Sequence, residues 1–142
     1  MQDAHKNVIR RLVHEVFEQG RVDVVDELLT EDFVDHSAQH AEFFSEVPGR
    51  AGFKRMALIA RSGLTDFEAE LDLIVGEGDL VAARVLAAGT HTAEFMGVPP
   101  TGQRISLSDF HFFRFRDGKV HEHWNQLNAL EIMQQLGLVP QA

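Results

Sequence analysis

Residues 104–127 read RISLSDFHFFRFRDGKVHEHWNQL, and this stretch decides the fold class of the chain. Apolar and polar residues largely alternate on both sides of Asp117-Gly118, a dipeptide typical of hairpin turns. Upstream, residues 67–75 alternate in the same way, and residues 80–92 are expected to form a second long strand after a turn at residues 76–79. We therefore expect four long strands, arranged as two hairpins in an antiparallel sheet.

The N-terminal half carries a helical period instead. Apolar residues three to four positions apart predict a helix over residues 3–18 that Gly20 ends. A shorter helix is expected over residues 22–29, and a third helix follows Pro48-Gly49 and ends near Gly63. Helices followed by strands predict a segregated α+β fold in which the helices cover one face of the sheet.

The remaining segments are shorter. Residues 33–36 are expected to be extended, and residues 39–48 to form an ordered loop. Residues 93–102 contain two consecutive prolines that cannot sit inside a sheet, so they predict a loop, and residues 129–136 predict a terminal helix. Where a long sheet curls over helices without filling the space between, a pocket remains.

Composition restricts the function. The 142 residues and 44% hydrophobic content predict one domain over residues 1–142. A net charge of −9 would repel nucleic acid and anionic membranes, so neither is an expected partner. The sequence shows no signal-peptide pattern or membrane span, which predicts a cytoplasmic protein. Cysteine and tyrosine are absent whereas histidine occurs eight times, so histidine is the first candidate for acid/base chemistry.

The register of the last hairpin decides which polar side chains share a face. In one register, Asp117-Gly118 is a two-residue turn, Arg116 pairs with Lys119, and the polar residues are scattered over both faces. In the other, a three-residue bulged loop pairs Phe115 with Lys119. We prefer the second register because it separates polar from aromatic residues.

The preferred register places Asp109, His111, His123 and Asn125 in one polar patch, with His111 opposite His123 and Asp109 opposite Asn125. The other face then carries Phe110 opposite Trp124 and Phe112 opposite Glu122. Directly opposed side chains lie about 5 Å apart at Cβ, close enough for Asp109 to fix a histidine tautomer or raise its basicity. Such a pair suits general acid/base catalysis, although strand histidines are also commonly just solvated.

The remaining histidines are weaker candidates. His5, His14 and His121 are expected at wet margins, whereas His36 and His91 lie where the mouth of a pocket would open. His121, His123 and His111 together would suit a three-histidine zinc site, but no further ligand spacing completes a metal signature, so no metal is predicted.

Residues 89–137 resemble the C-terminal half of the SnoaL-like polyketide cyclases, a branch of the nuclear-transport-factor-2-like superfamily. The first shared feature is a Gly-x-His run that leads to GVPPTG and is followed by a long strand. The others are the short motifs DGKV and EHW and a closing Leu-x-Gln-Leu-Gly, for which this chain has MQQLG. The N-terminal segments NVIRRLVHEVFEQGRVDVVDELLTEDFVDH and PGRAGFKRM match more loosely. The resemblance covers nearly the whole chain.

The resemblance implies a cone-shaped, cystatin-like fold with an apolar pocket for a hydrophobic small molecule. It also implies a homodimer, which is common in that family. It also implies an intramolecular aldol closure that uses neither cofactor nor metal, with an aspartate as acid/base. Asn125 stands at the position of that aspartate, and an amide cannot transfer a proton as a carboxylate does. His111 matches the family's pocket histidine, and Asp35 matches an early polar pocket residue.

Two functions remain open from the sequence. The first is a cyclase, isomerase or hydrolase in which Asp109 or His111 moves the proton. The second is a binding module that has kept the pocket and lost the acid/base. Asp35 or His36, but not both, should face the pocket, and the other expected substrate-binding residues are His91, Phe95, His123 and Asn125. A ketosteroid-isomerase-like mechanism lacks its usual tyrosine donor here.

Overall fold

The structure is a computed structural model that describes residues 2–37 and 47–140. The predicted first helix is present in two parts, helix α1 (Gln2–Arg11) and a wider π-helical segment (Leu12–Glu18). Gly20 follows with a φ of 72°, a left-handed conformation that suits glycine at the end of a helix. The elements that follow are a 3₁₀ turn (Val22–Val24), α2 (Val25–Leu28), β1 (Leu29–Asp35), α3 (Gly49–Gly63), β2 (Leu64–Glu77), β3 (Leu80–His91), β4 (Arg104–Arg116), β5 (Lys119–Leu127) and α4 (Ala129–Gln135).

The predicted α+β fold is confirmed, with the N-terminal helices packed on a curved five-stranded sheet of order β1-β5-β4-β3-β2. The expectation of a wholly antiparallel sheet is wrong at one edge, because β1 pairs in parallel with β5. The short extended segment around residue 33 gave no sign of its partner. The loop expected at residues 39–48 lies largely outside the described residues.

The main core lies between the helices and the inner face of the sheet. It contains buried side chains from every layer, among them Leu12, Val16, Phe53, Val81, Phe113 and Val120. Burial of such side chains supplies most of the stabilisation of a fold without disulfides. Within residues 2–37 and 47–140, no helix is long and apolar enough to cross a membrane.

The register predicted for the last hairpin is wrong. Arg116 pairs with Lys119, so Asp117-Gly118 forms a two-residue turn. Both turn residues have positive φ, 51° and 79°, as a type I′ turn requires. Phe115 pairs with Val120 instead of Lys119.

A bulge nevertheless restores the predicted faces. The register shifts between the Phe115–Val120 and Arg114–Glu122 pairs, which leaves His121 as the extra residue of β5. Beyond the bulge, His111 pairs with Asn125 and Phe113 with His123, where the sequence had predicted a His111–His123 pair. One extra residue reverses which face each later side chain occupies, so it cancels the effect of the shorter turn.

The same shift corrects the other predicted pairs. Asp109 lies opposite Leu127 instead of Asn125, and Phe112 lies opposite Trp124 instead of Glu122. The residues of the polar patch still lie together on the inner face: Asp109, His111, His123 and Asn125. The aromatic residues share the outer face, where Phe110 and Phe112 are about half exposed in the single chain.

Candidate active site

A cavity lies between the inner face of the sheet, helix α3 and the π-helical segment. It measures about 100 Å³ and opens to solvent. Among the described residues, fourteen line it, and eleven of these are apolar: Phe17, Met56, Ala57, Ala60, Phe67, Ala69, Val85, Ala87, Phe95, Leu107 and Leu127. An apolar lining with a few convergent polar groups is typical of small-molecule sites.

Alanines keep this space open. Ala69 and Ala87 are paired across β2 and β3, and both line the cavity. Ala57 and Ala60 line it from α3. Larger side chains at these positions would fill the space where a ring of a ligand can lie.

Three polar lining residues of the described part of the chain, Asp109, His111 and Asn125, lie together on β4 and β5. The Asn125 amide Nδ2 donates to both carboxyl oxygens of Asp109, at 3.0 and 3.1 Å. His111 Nε2 lies 3.4 Å from Asp109 Oδ2. The cavity therefore ends at a carboxyl group that an amide holds in place and an imidazole contacts.

A second histidine and a second carboxyl group extend this cluster away from the cavity. His111 Nδ1 lies 2.8 Å from His123 Nε2, and His123 Nδ1 lies 3.1 Å from Asp35 Oδ1. The backbone N–H of Ser37 donates to the same oxygen of Asp35 at 3.0 Å. Asp35, His123, His111 and Asp109 thus form one continuous row, which we call the His–Asp row.

The two carboxyl groups of the row have opposite pKa shifts. Burial raises the pKa of Asp109 to about 7, and the hydrogen bond from Asn125 offsets only part of that effect. Burial also acts on Asp35, but the hydrogen bond from His123, the charge interaction with it and the bond from Ser37 outweigh burial and lower the pKa of Asp35. Asp109 is therefore suited to take up and release a proton near neutral pH.

A family model described as SnoaL-like polyketide cyclase matches residues 7–136. The chain belongs to the SnoaL-like polyketide cyclase family. Among its curated relatives, the aklanonic acid methyl ester cyclase DauD from Streptomyces sp. (strain C5) is 29% identical over 92% of this chain and 80% of that protein. The nogalonic acid methyl ester cyclase from Streptomyces nogalater is 28% identical over 85% of this chain and 89% of that protein.

Solved structures of SnoaL-like proteins share the fold. The crystal structure of IdmH from Streptomyces antibioticus, a proposed polyketide cyclase, has 35% sequence identity and a TM-score of 0.78. The match covers 94% of this chain and 98% of the IdmH chain. The arrangement of helices and sheet described above is thus shared with a solved member of a family of cyclases.

The structure separates the histidines that were expected at the SnoaL-like site. His111 lines the cavity, whereas His123 lies behind it and is fully buried. His36 lies on the outer face, where its ring stacks on Trp124 at 4.8 Å, so the expected alternative of a pocket-facing His36 is wrong and Asp35 takes the inner side.

His91 is also away from the cavity lining. Its Nδ1 accepts from the backbone N–H of Thr101 and its Nε2 lies 3.2 Å from the carbonyl of Val98, which fixes the loop after β3. Phe95, from that loop, packs edge-on against the His91 ring and does line the cavity. His91 therefore contacts a lining residue, Phe95, and does not itself line the cavity.

The three-histidine arrangement considered for zinc does not form. The bulge at His121 turns its ring toward Thr30, where Nδ1 lies 3.0 Å from the hydroxyl oxygen. Over the described part of the chain, no three histidine, aspartate or glutamate side chains are grouped as a metal site would need.

Sequence reasoning missed most of the apolar lining. Phe67 and Ala69 were expected on the buried face of β2, and Met56, Ala57 and Ala60 on one face of α3, but neither pattern distinguishes a cavity wall from a core. The missed lining residues are Phe17, Met56, Ala57, Ala60, Phe67, Ala69, Val85, Ala87, Leu107 and Leu127. For Phe17, Val85, Leu107 and Leu127 the sequence carries no signal beyond an apolar position in a helix or strand.

Proposed function

We propose that this chain is a cofactor-independent cyclase that closes a ring of a hydrophobic, polyketide-type substrate, with Asp109 and His111 as the acid/base pair. The observation that carries the proposal is a buried carboxyl group at the end of an apolar cavity, in contact with an imidazole, with a pKa of about 7. Membership of a family of polyketide cyclases supports the substrate class.

The proposed reaction is an intramolecular aldol closure. Ionised Asp109 removes a proton from a carbon next to a carbonyl group, and the C–H electron pair forms the enolate. The enolate carbon attacks a second carbonyl carbon of the same molecule, which forms one C–C bond and leaves an alkoxide. The alkoxide takes the proton back from Asp109, so the product is an isomer of the substrate and no oxidant or reductant is needed.

Asn125 has a supporting role in this proposal. It stands where the family resemblance implies an acid/base aspartate, and its amide donates to both oxygens of Asp109. The carboxyl group would thus have moved from β5 to β4 and remained in the same part of the cavity. His111 Nε2, 3.4 Å from Asp109, would share the transferred proton.

The test uses aklanonic acid methyl ester and nogalonic acid methyl ester, the compounds in the names of two relatives, as probe substrates. The expected result is a product of unchanged mass with a new retention time. Asp109→Asn is the matched variant because it keeps the size of the side chain and its contact with Asn125. A probe that binds in the cavity and is converted no faster by the parent than by Asp109→Asn would overturn the proposal.

The second candidate function is a non-catalytic module that binds a hydrophobic ligand. The observation that favours it is the amide at Asn125 in place of the family carboxylate. Asn125→Asp separates the two candidates. If the parent binds a probe without converting it and Asn125→Asp converts the bound probe, the chain is a binding module.

We also propose that the chain forms a homodimer through the outer face of the sheet. Phe110 and Phe112 are 54% and 48% exposed there, and Leu73 and Val75 nearby are more exposed still. Exposed apolar side chains grouped in this way are typical of protein interfaces. Light scattering at micromolar concentration should give twice the mass of one chain, and Phe112→Glu should give the mass of one chain.

A further inference from the structure

We infer that Asp35 and His123 are positioning residues, which hold His111 with its proton on Nδ1 so that Nε2 faces Asp109 as a proton acceptor. The effect on turnover rests on the proposed function, whereas the protonation of the two rings does not. The inference starts from the three contacts of the His–Asp row, at 3.1, 2.8 and 3.4 Å. Each contact joins one atom of a ring to one atom of the next residue, so the protons along the row depend on one another.

The Asp35 end fixes the direction of the row. Its Oδ1 also accepts the backbone N–H of Ser37, and an ionised carboxylate is able only to accept. His123 Nδ1 must then carry the proton of the 3.1 Å contact. In a neutral His123 ring, Nε2 is left as an acceptor.

The protonation of His111 follows from that of His123. Because His123 Nε2 accepts, the proton of the 2.8 Å contact lies on His111 Nδ1. The lone pair of His111 Nε2 is then directed at Asp109 Oδ2. One further proton fits between them, on the carboxyl group or on the imidazole.

A rival arrangement holds the same number of protons and places them differently. Moving the proton of Asp109 along the row gives a cationic His123, a His111 with its proton on Nε2, and an ionised Asp109. That arrangement adds two buried charges. The rings around the two histidines are Phe17 from the π-helical segment, Phe53 from α3 and Phe113 from β4, which solvate charge poorly.

The neighbours of the two rings support the neutral arrangement. Titratable side chains in contact with them include Asp35 from β1 and Asp109 from β4. His123 is fully buried and His111 is 2% exposed. In the neutral row the one charge lies on Asp35, which is 20% exposed and accepts from Ser37, whereas the rival row also places charge on the fully buried His123 and on Asp109.

The first test is nitrogen NMR of the chain labelled with ¹⁵N-histidine, with the ring signals assigned in the parent from NOE contacts of His111 with Phe17 and of His123 with Phe53. At a pH below 7, the expected spectrum has a protonated Nδ1 and an unprotonated Nε2 on His123, and a protonated Nδ1 on His111. A protonated Nε2 on His123 in the parent would overturn the inference. The parent spectrum alone decides this point, so the test does not depend on a variant that folds.

The second test removes the acceptor of the row with Asp35→Ala. Nothing at position 35 then holds the proton on His123 Nδ1, so ring forms with the proton on Nε2 should appear for His123. Asp32→Ala is the matched control, because Asp32 lies on the same strand but bonds to Arg116 at the surface. The expected result is a mixture of the two ring forms in Asp35→Ala and the ring form of the parent in Asp32→Ala. Unchanged rings in a folded Asp35→Ala would overturn the inference.

The third test measures turnover with a probe that the parent converts. Asp35→Ala should lower kcat by about 10-fold or more, because His111 is no longer held with Nε2 as an acceptor, and should leave KM within about twofold. Altered rings with an unchanged kcat would overturn the positioning role. If the parent instead has no more activity than Asp109→Asn, the proposed function fails while the protonation of the rings, read by NMR, stands.

Discussion

Asp35 and Asp109 stand at opposite ends of the same row of histidines and are almost equally buried, with side chains 20% and 21% exposed. Their pKa values nevertheless move in opposite directions, down for Asp35 and up to about 7 for Asp109. Burial alone would raise both. The difference lies in the groups that donate to each carboxylate.

Asp35 accepts from an imidazole and from the backbone N–H of Ser37, and both favour its ionised form. Asp109 accepts from one amide, that of Asn125, and faces an imidazole nitrogen that we infer to be an acceptor. One fold can therefore keep one buried carboxyl group ionised and another ready to exchange a proton. The donors to each carboxyl group act together with burial to make the distinction.

The largest expected effect concerns stability. The folded-state pKa of Asp109 is raised above its unfolded value near 4, so the folded state binds the proton more tightly and stability falls as pH rises from about 4 to about 7. A difference of about three between the folded and unfolded pKa values corresponds to a loss on the order of 3 to 4 kcal/mol. Asp109→Asn should therefore be more stable than the parent at pH 8 and should lose this slope, as measured by urea unfolding at several pH values.

Asp35 should show the opposite slope in the same experiment. Its lowered pKa stabilises the fold above the unfolded value near 4, and that contribution is lost as pH falls below it. If Asp109→Asn and the parent have parallel stability curves between pH 4 and pH 7, the contrast between the two carboxyl groups is wrong.

The second prediction concerns turnover. Ionised Asp109 is the proposed base, so kcat/KM of the parent should rise about tenfold per pH unit up to about pH 7 and then level off. The rate at pH 5 should be about 100-fold below the plateau. A profile that is flat between pH 5 and pH 8 would show that another group takes the proton.

The fold was predictable because its signals are local. Alternation and turn residues marked four of the strands, and helical periods marked the helices that cover them. The parallel strand β1 was not predicted, since parallel pairing depends on a contact between residues almost 90 positions apart, such as Asp35 with His123.

The polar patch of the site was predictable although its strand pairs were not. The sequence predicted His111 opposite His123 and Asp109 opposite Asn125, whereas the structure pairs His111 with Asn125. The predicted contacts still form, because residues that are diagonal neighbours on one face of a sheet remain within reach of long side chains. The bulge at His121 could not be read from the sequence, because it depends on contacts of β5 with β1.

The third prediction alters the donor to Asp109. Asn125→Ala removes the amide that donates to both carboxyl oxygens, so the pKa of Asp109 should rise further, by about one pH unit. The midpoint of the pH profile should move upward by the same amount, with an unchanged plateau. Gln126→Ala is a suitable control, since Gln126 is the next residue of β5 and lies on the outer face opposite Phe110. An unmoved midpoint in Asn125→Ala would mean that burial alone sets the proton affinity of Asp109.

The smallest expected effect comes from a third carboxyl group, Asp32, which lies on β1 three residues before Asp35. The hydrogen bond from Arg116 lowers its pKa to about 2, so Asp32 and Asp35 shift in the same direction. Asp32 is exposed, however, and water and salt screen an exposed ion pair. Asp32→Asn should therefore leave turnover unchanged and shift the urea midpoint at pH 7 only slightly. The shift should vanish in 0.5 M salt, where the Debye length is about 4 Å.

The shift of the urea midpoint caused by Asp35→Asn should persist at that salt concentration, because its partner His123 is fully buried. Equal salt sensitivity in the two variants would show that Asp35 is stabilised in the same way as a surface ion pair, and the contrast between the inner and outer carboxylates of β1 would be lost.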